Sequence, residues 1–150
     1  MGTLEVTLAL VSAAASSIAA VFAALAYFHQ VFVGRKEVKF LIEFRRDHSH
    51  VSITATNVGC TITVLRVSVV TSDGKRLCTD SVTDRFEHGA IVACLNLDAA
   101  TAKDIPVDVQ LRTVVELTDG GSLRSRTFNL SEMIHREDVF RICVSATDAN

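Results

Sequence analysis

Hydrophobic and polar positions change rhythm once along this chain. From Val6 to Gly34 no Asp, Glu, Lys or Arg interrupts the sequence, and its apolar centre runs from Leu8 to Phe28. At about 1.5 Å rise per residue, roughly 20 apolar residues bridge a hydrocarbon core of about 30 Å, so residues 1–35 are expected to be a transmembrane helix acting as an anchor. Two alternatives compete with the anchor. A secretory signal peptide could end near Ala24-Leu25-Ala26, although Glu5 and the absence of a basic residue ahead of the run argue against it. A buried core helix is the second, although an apolar stretch this long is unusual inside a small domain.

From Glu37 the period becomes two. Val38, Phe40, Ile42 and Phe44 alternate with polar positions, and Val51, Ile53 and Ala55 do the same, which predicts two half-buried strands before Asn57-Val58-Gly59 turns the chain. A third strand covers Cys60 to Val70, and its change of parity between Val64 and Val67 predicts a bulge or burial on both faces. Asp73-Gly74 is a tight hairpin signal, with a return strand from Lys75 to Cys78. Residues 80–89 read as irregular, Ile91, Ala93, Leu95 and Leu97 as one strand face, and 99–105 as a loop. Pro106 is expected to open a strand through Val107, Val109, Leu111, Val115 and Leu117, and Asp119-Gly120-Gly121 to turn it into Ser122–Phe128. Asn129 and Glu132 fit a capping box for a helix over 130–138, followed by a strand over 139–144. The fold class is therefore mainly β: a single N-terminal transmembrane helix, then residues 36–150 as an antiparallel immunoglobulin-like β-sandwich of about seven strands with a short helix near the C-terminus.

Charge sets the expected orientation. Arg35, Lys36, Lys39, Arg45 and Arg46 follow the apolar run while nothing basic precedes it, so a short N-terminal tail is expected outside and the β-domain cytoplasmic, with Arg35, Lys36 and Lys39 at the membrane surface against lipid. The formal charge of −2 splits into −1 for residues 1–34, from Glu5, and −1 for the rest, where 15 basic face 16 acidic side chains. That balance argues against a nucleic-acid partner, which needs a clustered basic surface.

Candidate chemistry is sparse. The four cysteines, Cys60, Cys78, Cys94 and Cys143, lack metal-site spacing and read as free thiols, or as two disulfides were the domain exported. His48 and His50 could share a metal but have no third ligand by spacing, and a polar turn explains them. Cys143 with His135 and Glu137 is explained by an apolar strand, and Asn129-Leu130-Ser131 by a helix cap. No catalytic, cofactor or metal residues are assigned. Within the apolar run, Ser12, Ser16, Ala20 and Ala24 form one small-residue stripe and Ala15, Ala19 and Ala23 another, a pattern that lets membrane helices approach closely and points to a protein partner, including a second copy. Tyr27, His29 and Gln30 are placed at the membrane interface.

Thr56-Asn57-Val58-Gly59, a β-branched run and then Ser72-Asp73-Gly74-Lys75-Arg76-Leu77 resemble the order found in uncharacterised small bacterial and phage-encoded proteins that join one N-terminal membrane helix to an immunoglobulin-like β-domain. Those proteins often carry a coiled-coil spacer that this chain lacks, and the resemblance implies architecture without functional residues. The expected function is that of a binding or accessory module, a non-catalytic subunit or scaffold in a membrane-associated assembly. The alternative is an exported, signal-anchored structural or adhesion domain with disulfides.

Overall fold

The computed structural model describes residues 2–29 and 34–148, which fall into two compact units, 1–35 and 36–150. Gln30 lies outside the described residues. The first unit is helix α1, Gly2–Phe28, a 27-residue element long and apolar enough to cross a membrane. No side chain from Val11 to Phe28 is buried, the opposite of what a core helix shows. The Ser16 and Ser17 hydroxyls donate to the carbonyls of Ser12 and Ala13, both at 2.9 Å, so neither leaves an unpaired donor on an apolar surface.

The second unit is mainly β. Its elements are β1 (Glu37–Arg45), β2 (His50–Asn57), β3 (Ile62–Thr71), β4 (Arg76–Phe86), β5 (Ile91–Asp98), α2 (Ala99–Asp104), β6 (Leu111–Leu117), β7 (Ser122–Ser125), α3 (Leu130–Arg136) and β8 (Val139–Asp148). The eight strands form one antiparallel sheet in the order β4-β3-β6-β7-β8-β1-β2-β5. Where the sequence suggested about seven strands in two layers, hydrogen bonding runs continuously through eight. The inward positions from every strand but β4 meet in one core that includes Phe40, Ile42, Ile53, Val67, Val115 and Leu123, with Leu77, Cys78 and Val82 of β4 packed against it.

One asparagine draws the two edge strands together into a nearly barrel-like form. Asn57, wholly buried at the end of β2, donates from its amide to the Cys60 carbonyl at 2.9 Å and the Phe86 carbonyl at 3.0 Å, and accepts from the Gly59 N–H at 3.1 Å. Its main chain adds a bond to the Ala90 carbonyl at 2.9 Å and one from the Gly89 N–H at 2.7 Å. The end of β2 is thereby tied to the end of β4 and to the β4–β5 turn. Gly89 takes φ +83°, a conformation that costs glycine little.

Several local expectations change in three dimensions. The parity switch in β3 is a bulge: Val64 pairs with Asp84 and Arg66 with Ser81, leaving Leu65 opposite Val82 and Thr83, and Thr83 takes φ 45° there. β4 continues through the segment that read as irregular, because an edge strand needs little apolar patterning. A register shift between Ala55 and Thr56 turns Ile91 outward, to 59% exposure, away from Ala93, Leu95 and Leu97. Residues 99–104 are helical, with Asp98 accepting from the Thr101 N–H at 3.1 Å. Pro106 opens a turn, closed by the Val109 N–H on the Pro106 carbonyl at 3.0 Å, so the strand begins at Leu111. Helix α3 ends at Arg136, and the capping box is half made: Asn129 accepts from the Glu132 N–H at 3.1 Å, while the Glu132 carboxylate pairs with Arg136 at 2.8 Å. The buried Ser131 hydroxyl donates to the Ile105 carbonyl at 2.7 Å, which fixes α3 beside the end of α2.

Candidate functional site

The two small-residue stripes of α1 share one side of the helix. At about 100° per residue, Ser12, Ala15, Ser16, Ala19, Ala20, Ala23 and Ala24 fall within roughly half of the circumference, while Ile18, Val21 and Leu25 lie opposite. All of these side chains are exposed. The helix therefore carries a smooth side and a ridged side.

The basic residues that follow α1 divide into free and occupied. Arg35 and Lys39 are exposed. Lys36 is held by Asp119 of the β6–β7 turn, Nζ to Oδ2 2.8 Å, and Arg46 by Asp138 at 2.6 Å. The hydrogen bond between Lys36 and Asp119 raises the lysine's pKa against the opposing effect of desolvation, and lowers that of the aspartate with help from the Gly121 N–H.

All four thiols are free. Cys143, Leu41, Thr54 and Cys94 occupy one row across β8, β1, β2 and β5, so two strands separate the two exposed cysteines. Three strand spacings amount to about 14 Å, twice the limit for a disulfide, so the bridges invoked for an exported domain lack this pairing. Burial pushes the Cys78 thiol up to about 11, which keeps it protonated at neutral pH. Among the described residues no hydrogen bond links Cys143 to His135 or Glu137. The Asn129 amide is occupied by the helix cap and by the Val107 carbonyl.

His48 and His50 stack with ring centroids 6.1 Å apart, and with Glu43, Phe44, Arg45 and Ser52 they line an open groove of about 360 Å³. No group of three or more His, Cys, Asp and Glu suited to a metal occurs among the described residues. Next to this groove the outer surface of β1 and β8 is neutralised locally, Arg141 Nε donating to Glu43 at 2.7 Å.

The outer surface of β3 and β6 is different. Arg66, Ser68 and Val70 of β3 lie opposite Glu116, Val114 and Arg112 of β6; Arg76 of β4 flanks Val70, and Arg124 of β7 flanks Val114. Four arginines thus surround one carboxylate. Glu116 takes Arg76 at 2.6 Å and Arg66 at 3.7 Å, whereas Arg112 and Arg124 have no acidic partner among the described residues. Ser68 stands at the centre, 1% exposed although its strand position faces outward, so its longer neighbours cover it. Its hydroxyl has no hydrogen-bond partner, and neither do the enclosed Nε atoms of Arg66 and Arg112. None of these residues stood out in the sequence, because an overall balance of charge conceals how charge is distributed. The only linear trace is arginine at polar positions of strands β3, β4, β6 and β7.

The chain matches no protein-family model, no curated protein and no solved structure, so the site has to be understood from its own chemistry.

Proposed function

We propose that this is a single-pass membrane protein, anchored by residues 1–35, whose residues 36–150 form a cytoplasmic, non-catalytic binding or accessory module. The observation that carries the proposal is the contrast in burial: α1 exposes apolar side chains such as Phe22 at 68%, Leu25 at 59% and Tyr27 at 69%, while the β unit buries its own core. A contiguous apolar surface of that length has to be covered by lipid or by other helices. Arg35 and Lys39, exposed and just beyond the helix, favour the cytoplasmic placement and a lipid contact. The curled sheet serves, in this proposal, as an immunoglobulin-like sandwich would, presenting strand faces and loops to a protein partner, while the smooth side of α1 recruits a partner helix or a second copy. In an isolated membrane fraction the full chain should resist alkaline carbonate extraction, and a chain beginning at Lys36 should be released. A membrane-impermeant maleimide should leave Cys94 and Cys143 unlabelled in sealed cells and label both after permeabilisation. Carbonate release of the full chain would overturn the anchor, and labelling in sealed cells would overturn the orientation.

A further inference from the structure

We infer that the outer surface of β3 and β6 is a binding site for a phosphate-type oxyanion, held by Arg66, Arg76 and Arg112 over Ser68, with Arg124 at its margin. Four guanidinium groups against the one carboxylate of Glu116 leave a formal excess of three positive charges on adjacent strands. Guanidinium groups repel one another and pair best with planar or tetrahedral oxyanions that accept two hydrogen bonds, so the cluster favours an anion. Its polar interior points the same way. The Ser68 hydroxyl and the Nε atoms of Arg66 and Arg112 are enclosed beneath the arginine side chains and unpartnered, and an oxyanion that parts those side chains would give them acceptors. Glu116 has a double role, because it holds Arg66 and Arg76 in place yet competes with the ligand for them.

The outer surface of β1 and β8 shows that this arrangement is not a general consequence of exposed arginine. There Arg141 meets Glu43 in register and Lys39 and Arg45 extend into solvent, and no polar side-chain atom of these residues is buried without a partner. The inference also stands apart from the membrane proposal, since it depends only on residues of β3, β4, β6 and β7. The phosphate could belong to a soluble metabolite or to a lipid headgroup, which share this recognition chemistry.

The test uses the full chain in a nonionic detergent, titrated separately with inorganic pyrophosphate and with dihexanoyl phosphatidate, using dihexanoyl phosphatidylcholine as the lipid control, and read by calorimetry at constant ionic strength. Saturable binding in at least one of the two arms is expected, with the tighter arm assigning the source. Arg112→Gln should weaken it at least tenfold, and Arg112→Lys, which keeps charge and fold but loses the two-pronged contact, should weaken it several-fold. Glu116→Gln should change affinity in the other direction, tightening binding several-fold by removing the competing carboxylate. A purely structural cluster would respond to all three substitutions alike or not at all. Arg141→Gln should leave binding unchanged. No saturable binding in either arm, or equal affinity in parent, Arg112→Gln and Glu116→Gln, would overturn the assignment.

Discussion

Helix α1 and strand β1 are both rich in apolar residues, and the molecule treats them in opposite ways. In β1 the apolar side chains alternate with polar ones, so Val38, Phe40, Ile42 and Phe44 turn to one side and become buried, while Lys39 and Arg45 stay in solvent. In α1 the apolar side chains surround the axis, and none from Val11 to Phe28 is covered. Periodicity, not apolar content, decides whether a segment can satisfy itself within the fold or must seek another medium. The two regions should therefore respond to different perturbations.

The largest expected effect is on the sheet alone. Phe40→Ala, at a position with no exposure, should cost the β unit about 4 kcal/mol by the lost transfer energy and the cavity left behind. Chemical denaturation followed by the β-sheet circular dichroism signal should show it, while the helical signal of α1 in detergent stays in place; parallel loss of both signals would break the comparison. Asn57→Ala comes next, at about 3 kcal/mol, because the Phe86 and Cys60 carbonyls and the Gly59 N–H lose their buried partner. Hydrogen exchange should then rise first around Phe86 to Ala90, where the edge strands are joined.

On the helix the same size of change in side-chain volume should act through association and not through folding. Replacing Ala19 and Ala20 by Ile should preserve membrane insertion but weaken self-association or partner association by about tenfold, since branched side chains keep helix backbones apart. Val21→Ile with Leu25→Ile, on the ridged side, should be close to silent in the same cross-linking assay. If the two pairs behave alike, the smooth side of α1 is not a contact surface.

The smallest effect concerns the ion pair between Lys36 and Asp119. The aspartate's pKa is lowered in the folded state, so its contribution is present above the unfolded carboxylate value and fades as pH falls through the folded one. The lysine's pKa is raised, so its contribution is complete below the unfolded value and fades as pH rises through the folded one. The pair therefore acts between roughly pH 4 and pH 10. Asp119→Asn should shift the thermal midpoint only slightly within that window and not at all in molar salt, because the Asp119 carboxylate is 57% exposed and the Lys36 side chain 33%, so solvent and ions screen the pair.

The individual elements were largely legible in the order of residues, because their causes are local. Alternation placed β1 and β2, Asp73-Gly74 placed a turn with φ +89° at the glycine, the change of parity in β3 announced its bulge, and Asn129 announced the start of α3. The start of edge strand β4 was expected from the hairpin, but its continuation through Asp80 to Phe86 and helix α2 were missed, since a half-exposed strand and a six-residue helix leave almost no periodic trace. Asn57 shows the limit clearly. Its residue type suggested a turn, and it does end a strand, but its weight comes from carbonyls at Cys60 and, 29 residues away, Phe86. Arg66, Arg76, Arg112 and Arg124 show it again: each is an ordinary polar position in its own strand, and only the pairing of β4, β3, β6 and β7 gathers them around Ser68. What the sequence alone determined is what one segment can do by itself, namely that α1 is long and apolar enough to cross a membrane and which faces of the strands turn inward. Which strands are neighbours, that the sheet is single and curled, and where charge accumulates were decided by tertiary structure, because strand pairing is a property of distant segments and the energy that selects it comes from a core shared by all of them.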